Sequence, residues 1–170
     1  MGVPRGNAAR NAPLSETSGD LETQVRHRAP DIERLPFGHR LTYDIKSNWK
    51  NIVDNFLECY HCPATDKGFC DLVDMDTYKV TTCGTCSRHM ADAGQGTNSA
   101  YDVSNATVRT HAVWWLWPTT CLMCYPGRSS MIVLNIIPVG PDRMLETNAL
   151  SKRNLKHPTL PEFKGFGRFG

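Results

Sequence analysis

Residues 47–63 carry the strongest periodic pattern in the chain. Ser47 is a suitable helix N-cap, and Pro63 is a residue that stops a helix. Between them, apolar side chains recur at spacings of three and four: Trp49, Ile52, Val53, Phe56, Leu57 and Tyr60. This spacing predicts an amphipathic helix that buries one face and ends at about His61.

Strand patterns lie on both sides of this helix. Leu41, Tyr43 and Ile45 alternate with polar residues, which predicts a half-buried strand. Further strands are predicted at 76–83, 106–117, 121–124, 131–139 and 144–150. The turn residues of PGRSS (126–130) and GPDR (140–143) separate short apolar runs, so we expect an antiparallel meander. One amphipathic helix packed on such a sheet predicts an α+β fold.

Three segments lack a clear period. Residues 1–30 are expected to be a loose lead-in with one helical turn near Asp20–Arg26, and residues 84–104 are expected to be a long exposed loop. The tail, residues 151–170, is basic and has no apolar period, which leaves residues 31–150 as the globular part. Because this tail does not continue the sheet, the strand that starts at Met144 is expected to leave an edge unpaired.

Composition places the chain among ordinary globular proteins and excludes several classes. The 170 residues fit one domain, and the net charge of +2 is too small to predict nucleic acid or an acidic membrane as a partner. No apolar run approaches the ~18 residues of a membrane span, and the first residues have no signal-peptide core. A cytoplasmic location is therefore expected. In that compartment the seven cysteines are expected to be thiols or metal ligands rather than disulfides.

Carboxylates and a histidine gather around the end of the predicted helix. Asp54, Glu58 and His61 fall together on the flank of its apolar stripe, and Asp66 follows five residues after the histidine. Imidazole and carboxylate ligands with open positions suit non-haem Fe(II). The alternative is that His61 caps the helix end while the helix carboxylates are solvated.

Three Cys-x2-Cys pairs offer a second metal hypothesis, a structural zinc site, which needs four converging thiolates or imidazoles. The pairs are Cys59/Cys62, Cys83/Cys86 and Cys121/Cys124. The first two pairs have the spacing of a zinc site. The first pair, however, lies at a helix end, and the third lies in a strand, where residues three apart face opposite sides. Only the CGTC turn resembles a zinc knuckle.

Longer stretches of the chain resemble a known family. The run NWKNIVDNFLECYHCP, with HRLTYDIKS before it, resembles the catalytic domain of the Rieske-type non-haem iron oxygenases, the ring-hydroxylating alpha subunits and their monooxygenase relatives. The resemblance extends through LVDMDTYKV, YDVSNATV, THAVWWLWP and MIVLNIIPVGPDR, and so covers Gly19 to Glu146. Within the family the chain is most similar to the quaternary-amine branch, the oxygenase components for carnitine and related betaines.

The resemblance implies roles for three residues of the family motif Glu/Asp-x2-His-x4-His. Glu58 matches the acidic residue that relays electrons from the Rieske cluster of a neighbouring subunit, and His61 matches the first ligand of a mononuclear non-haem Fe(II). Asp66 stands where the second histidine ligand is expected, so iron is expected to bind weakly or not at all. The third ligand, a carboxylate, is expected beyond Gly170.

The resemblance also implies a fold, a reaction and partners. The fold is a helix-grip α+β domain of the SRPBCC or Bet v 1 type, an antiparallel sheet wrapped against helices, and incomplete here. The reaction is NAD(P)H-dependent insertion of oxygen from O2 into a small organic substrate, either a quaternary amine or an aromatic compound. A reductase component and a homotrimer are implied, in which one subunit's 2Fe-2S cluster serves the next subunit's iron. Only about 45 residues precede the motif, so this chain is not expected to bind the cluster itself.

Three tryptophans are candidates for substrate binding. Trp114, Trp115 and Trp117 offer aromatic rings that attract a trimethylammonium cation, whereas the alternative places two of them in the core. The sequence thus predicts a partial oxygenase catalytic domain with impaired activity. A non-enzymatic zinc- or ligand-binding module that uses the Cys-x2-Cys pairs is the alternative, and an unstable remnant without function is the third hypothesis.

Overall fold

An antiparallel sheet organises the chain in the computed structural model, which describes residues 16, 18–94, 103 and 106–152. Within these residues seven strands pair in the order β1-β7-β6-β5-β4-β3-β2. The strands are β1 (Phe37–Ile45), β2 (Lys79–Cys83), β3 (Cys86–Asp92), β4 (Thr110–Leu116), β5 (Thr120–Cys124), β6 (Ser130–Gly140) and β7 (Arg143–Lys152). The predicted antiparallel α+β architecture is confirmed.

Short helices pack on both faces of this sheet. Among the described residues they are α1 (Leu21–Arg28), α2 (Trp49–Leu57), α3 (Cys62–Thr65) and α4 (Lys67–Leu72), with 3-10 turns at Ile32–Arg34 and Met75–Thr77. The N-cap of α2 is Asn48 rather than Ser47, because the Asn48 side chain accepts the Lys50 amide at 3.0 Å. No helix in the described part of the chain is both long and apolar enough to cross a membrane.

Each face of the sheet carries its own hydrophobic core. Successive side chains of a strand point to opposite faces, and cross-strand partners share a face. The α1 face, which packs on Leu21, Val25 and Ala29, holds Ala112, Trp114, Cys124 and Met131. The α2 face, which packs on Val53, holds Val113, Trp115, Cys121, Met123, Leu134, Ile136 and Met144.

The lead-in is more ordered than expected. Helix α1 was predicted as one helical turn, yet Leu21, Val25 and Ala29 are all buried against the sheet. The indole Nε1 of Trp114 donates a hydrogen bond to Gln24 Oε1 at 3.0 Å, which joins the helix to the centre of β4. Residues from Ser18 onward are therefore part of the folded unit, while residues 1–15 lie outside the described residues.

The prediction of an exposed loop over residues 84–104 is wrong for the first half of that segment. A hairpin turn at Gly84, whose φ is +56°, pairs Cys83 with Cys86 and starts strand β3. The strand was missed because polar residues occupy it, although His89 is buried on the α2 face. Residues 95–102 of the expected loop lie outside the described residues, as do residues 153–170 of the basic tail.

The edge of the sheet also differs from the expectation. Strand β7 was expected to leave its edge unpaired, but β1 pairs with it along the whole length from Ile45↔Met144 to Phe37↔Ser151. The edges are β1 and β2 instead. Strand β1 is also more exposed than the half-buried strand that was predicted: Leu41 is 44 % exposed and Tyr43 is 42 % exposed.

The packing of α1 predicts a specific loss of stability. Replacing Leu21 by alanine is expected to lower the free energy of unfolding by about 2–5 kcal/mol, because it leaves a cavity on the α1 face. The control is Glu22→Ala, which removes only an exposed ion pair with Arg26 and is expected to cost less than about 1 kcal/mol. Urea unfolding of both variants provides the measurement. Equal midpoints would contradict the docking of α1 on the sheet.

Candidate functional site

The candidate site begins where α2 ends, and that end is earlier than predicted. The helix stops at Leu57, because Glu58 is extended with φ −120° and ψ 154°. Pro63 falls in the first turn of the next helix, α3, a position that tolerates proline. Asp54 remains on α2 with an exposed side chain, so the three residues expected on one helix flank do not share it.

Glu58 and His61 face each other across the turn between α2 and α3. Glu58 Oε1 accepts a short hydrogen bond from His61 Nδ1, and Glu58 Oε2 accepts the Tyr60 amide at 2.7 Å. About a third of each side chain is exposed, 37 % for Glu58 and 34 % for His61. The hydrogen bond from His61 is the main reason that the pKa of Glu58 lies below its usual value.

This pairing determines which imidazole nitrogen can bind a ligand. With Nδ1 committed to the carboxylate, Nε2 is the nitrogen that carries the free lone pair. Metal-ligating histidines commonly donate their other ring N–H to a carboxylate in this way, which orients the ring. Cys62 Sγ lies 4.0 Å from Nε2. His61 is thus prepared as a single nitrogen donor.

Asp66 has a structural contact in the same segment. Its carboxylate Oδ1 accepts the Phe69 amide at 3.0 Å and caps the N-terminus of α4. Within the described residues, no three His, Cys, Asp or Glu side chains converge closely enough to hold a metal ion. The site therefore fits an iron centre in part: it supplies one oriented imidazole and a nearby carboxylate, but not a complete ligand set.

The cysteines do not converge on a zinc site in the described structure. The expectation of free thiols is wrong for Cys59 and Cys62, which form a disulfide that brackets His61. Cys121 packs on the α2 face and Cys124 on the α1 face, so the expected divergence of this pair is confirmed. Burial raises the pKa of both of these thiols, that of Cys124 to about 11, which disfavours the thiolates that zinc requires.

The three candidate tryptophans do not form one wall. Trp114 and Trp115 are fully buried on opposite faces of β4, and the Trp115 ring lies 5.3 Å from that of Phe56. Trp117 is 58 % exposed beyond the end of β4, and its ring lies 6.1 Å from that of Trp49. The structure thus supports the core alternative for Trp114 and Trp115.

A buried carboxylate that the sequence analysis did not single out lies on β7. Glu146 is 2 % exposed, and its Oε1 accepts a hydrogen bond from Asn148 Nδ2 at 2.7 Å. Burial raises its pKa, an effect that the Asn148 hydrogen bond partly opposes. The sequence held a signal for it, since Glu146 stands two residues from Met144 and four from Leu150, in the phase of the buried face.

Two buried histidines were also missed, and they form an aromatic cluster under α4. Tyr78 Oη lies 3.0 Å from His89 Nδ1, and the His111 ring lies 5.1 Å from that of Phe69. Burial lowers the pKa of His111 to about 3 and raises that of Tyr78 to about 12, so both groups are neutral at ordinary pH. Through Phe69, this cluster packs α4 against the sheet.

Known proteins are similar to this chain in both sequence and fold. The family described as "Ring hydroxylating alpha subunit (catalytic domain)" matches residues 32–151. The carnitine monooxygenase oxygenase subunit of Escherichia coli K12 is 33 % identical over 126 residues, which are 74 % of this chain and 33 % of that protein. A chloroplastic choline monooxygenase of Atriplex hortensis is 28 % identical over 137 residues, 75 % of this chain and 27 % of that protein.

Solved structures agree with these sequence matches. The quaternary ammonium Rieske monooxygenase CntA, in complex with an inhibitor, superposes with a TM-score of 0.78 at 25 % identity, over 92 % of this chain and 43 % of that one. A naphthalene 1,2-dioxygenase of Rhodococcus shares the fold with a TM-score of 0.60 at 15 % identity, over 89 % of this chain and 43 % of that one.

The chain spans about a third of the length of the curated relatives that it matches. The matching region nevertheless includes the sheet up to Ser151 and the segment with Glu58 and His61. The protein therefore belongs to the family of ring-hydroxylating oxygenase alpha subunits, as a helix-grip catalytic-domain segment near the carnitine monooxygenase branch.

Proposed function

We propose that this chain is a partial catalytic domain of a Rieske-type oxygenase and supplies one side of a mononuclear non-haem iron site. The observation that carries the proposal is the Glu58–His61 pair, which leaves the imidazole Nε2 free as a nitrogen donor. The pair occupies the Glu-x2-His part of the family motif at the end of α2. His61, oriented by Glu58, would hold the iron, and the chemistry supplied there would be the insertion of oxygen from O2 into an organic substrate with electrons derived from NAD(P)H.

Each residue of the motif has a distinct proposed role. His61 is the iron ligand, and Glu58 fixes its tautomer and lies on the route by which electrons arrive from a neighbouring subunit's cluster. Asp66 takes the position of the second ligand. The names of the relatives, carnitine and choline monooxygenases, favour a quaternary amine as the substrate. A reductase component and a homotrimer are the proposed partners.

We further propose that Asp66 impairs this centre. A facial triad for non-haem iron combines two imidazoles with one carboxylate. Here the second imidazole is replaced by a carboxylate that already caps α4 through Phe69. Iron affinity is therefore expected to be low, and activity with it.

The identity of residue 66 is expected to decide how tightly Fe(II) binds. Asp66→His is expected to raise the Fe(II) affinity of the chain at least about tenfold, equivalent to 1.4 kcal/mol, because it adds a second imidazole. It also removes the cap of α4, at a cost of about 1 kcal/mol in stability. The measurement is anaerobic titration with Fe(II) against a chromophoric chelator.

Asp66→Asn is the matched control for this experiment. Asparagine keeps an N-cap for α4 but adds no imidazole, so its iron affinity is expected to stay at or below that of the wild type. Tight stoichiometric binding by the wild-type chain, or equal affinity in the histidine and asparagine variants, would refute the assignment of position 66.

The carboxylate partner of the imidazole is also expected to affect Fe(II) affinity. Glu58→Gln is expected to lower Fe(II) affinity by about 10–100-fold, because the ring loses the carboxylate that orients it and raises its basicity. Asp54→Asn removes an exposed carboxylate from the preceding helix, α2, and is expected to leave the affinity unchanged. If both variants bind Fe(II) equally well, the Glu58–His61 pair does not form the site.

A further inference from the structure

The disulfide beside the candidate site joins two residues that are only three positions apart, Cys59 and Cys62. The backbone already closes this turn, because the Cys62 amide donates a hydrogen bond to the Cys59 carbonyl at 3.2 Å. A disulfide stabilises a fold mainly by closing a long loop of the unfolded chain, and a loop this short offers little of that effect. The bond connects one turn to itself rather than two separate elements, so stability alone does not account for it.

The turn that carries the disulfide is open to solvent. Tyr60, which stands between the cysteines, is 94 % exposed, and about a third of the side chains of Glu58 and His61 is exposed. The two cysteines themselves differ in access. Cys59 is partly exposed, whereas Cys62 is buried with 7 % of its surface exposed. A thiol that approaches from solvent therefore meets Cys59 first.

The five other cysteines lack this arrangement. Cys70 and Cys83 are partly exposed, but they form no disulfide. Burial raises the pKa of the remaining three thiols, those of Cys86, Cys121 and Cys124. Thiol–disulfide exchange proceeds best when an accessible sulfur has a second sulfur close by, which is the arrangement that Cys-x2-Cys motifs supply. The pair in the turn after α2 meets both conditions.

We propose that Cys59 and Cys62 form a reversible dithiol–disulfide couple that exchanges with low-molecular-weight thiols, and that Cys59 is the sulfur that these thiols attack. The external thiolate bonds to Cys59 Sγ, the bond to Cys62 Sγ breaks, and Cys62 Sγ leaves with the electron pair and takes a proton from water. A second external thiolate then attacks the external sulfur of this mixed disulfide and releases Cys59 as a thiol. Two external thiols are thereby oxidised to one disulfide, and the protein disulfide gains two electrons. A low-molecular-weight disulfide drives the same steps in reverse.

His61 is the residue whose surroundings this exchange changes. It lies inside the ring that the disulfide closes, and its Nε2 lies 4.0 Å from Cys62 Sγ. The exchange itself needs no metal. It is therefore an activity separate from the proposed oxygenase function, and the failure of either proposal leaves the other standing.

The test follows the redox state of the full 170-residue chain in glutathione buffers that contain EDTA. Samples equilibrated at a series of GSH to GSSG ratios are quenched in acid, alkylated, digested with trypsin and analysed by mass spectrometry. The peptide 51–67 contains Cys59 and Cys62 and no other cysteine. It is expected to pass from fully oxidised to fully reduced within this series, whereas a structural disulfide resists reduction by glutathione. A pair that stays oxidised in excess GSH, or stays reduced in excess GSSG, would overturn the proposal.

Single-cysteine variants then separate the roles of the two sulfurs. In Cys62→Ser, GSSG is expected to leave a mixed disulfide on Cys59 that accumulates, because no second sulfur removes it. In Cys59→Ser, the buried Cys62 is expected to react at least about tenfold more slowly. Cys70→Ser is the control, since it removes a partly exposed thiol without a disulfide partner and leaves the transition of peptide 51–67 unchanged. Equal rates at Cys59 and Cys62 would overturn the assignment of Cys59 as the attacked sulfur.

A protein dithiol distinguishes the two sources of external thiol. Reduced thioredoxin is added to the oxidised chain in the absence of glutathione, and the same peptide is analysed. If thioredoxin reduces a pair that excess GSH leaves oxidised, the assignment to low-molecular-weight thiols is wrong. The wild-type measurements decide this point without any variant, so they hold even if a cysteine variant does not fold.

Discussion

Trp114 and Trp115 are neighbours on one strand, and together they connect both cores of the structure. Because adjacent strand residues point to opposite faces, each indole belongs to a different layer. Trp114 holds α1 through packing and the bond to Gln24, and Trp115 lies under Phe56 of α2. Helix α2 in turn determines where the chain turns at Glu58, so the position of His61 depends on this packing. The buried tryptophans thus support the elements that lead to the site.

The site that results is asymmetric in its chemistry. Its helical side carries the Glu58–His61 pair, which is partly exposed and oriented. Its sheet side carries Glu146, which is buried and lacks a cation among the described residues. The pair offers a nitrogen donor, His61 Nε2, whereas the buried carboxyl on the sheet is hydrogen-bonded to Asn148.

The local features of the fold were accessible from the sequence, and the non-local features were not. The apolar stripe from Trp49 to Leu57 predicted α2, and turn residues predicted the β5–β6 and β6–β7 connections. The pairing of β1 with β7 joins residues about a hundred positions apart, and no local pattern reports such a contact. Strand β3 was missed because its sequence, CSRHMAD, does not alternate between apolar and polar residues. One of its buried residues is a histidine, His89.

The same distinction holds for the site. The motif spacing singled out Glu58 and His61 as candidates, because family resemblance is carried by short segments. It did not predict that α2 would end at Leu57, which is what allows the carboxylate to turn back to the ring. Glu146 was missed because a single acidic residue in a strand is usually solvated, although its phase along β7 matches that of the buried Met144 and Leu150.

The central claim is that His61 is the nitrogen ligand of an iron centre with otherwise oxygen ligands. Iron K-edge X-ray absorption of the Fe(II)-loaded chain tests this most directly, with His61→Ala as the reference. We predict scattering from a single imidazole and from oxygen ligands in the wild type, and loss of the imidazole contribution in the variant. Sulfur scattering, or an imidazole contribution that persists in His61→Ala, would contradict the claim.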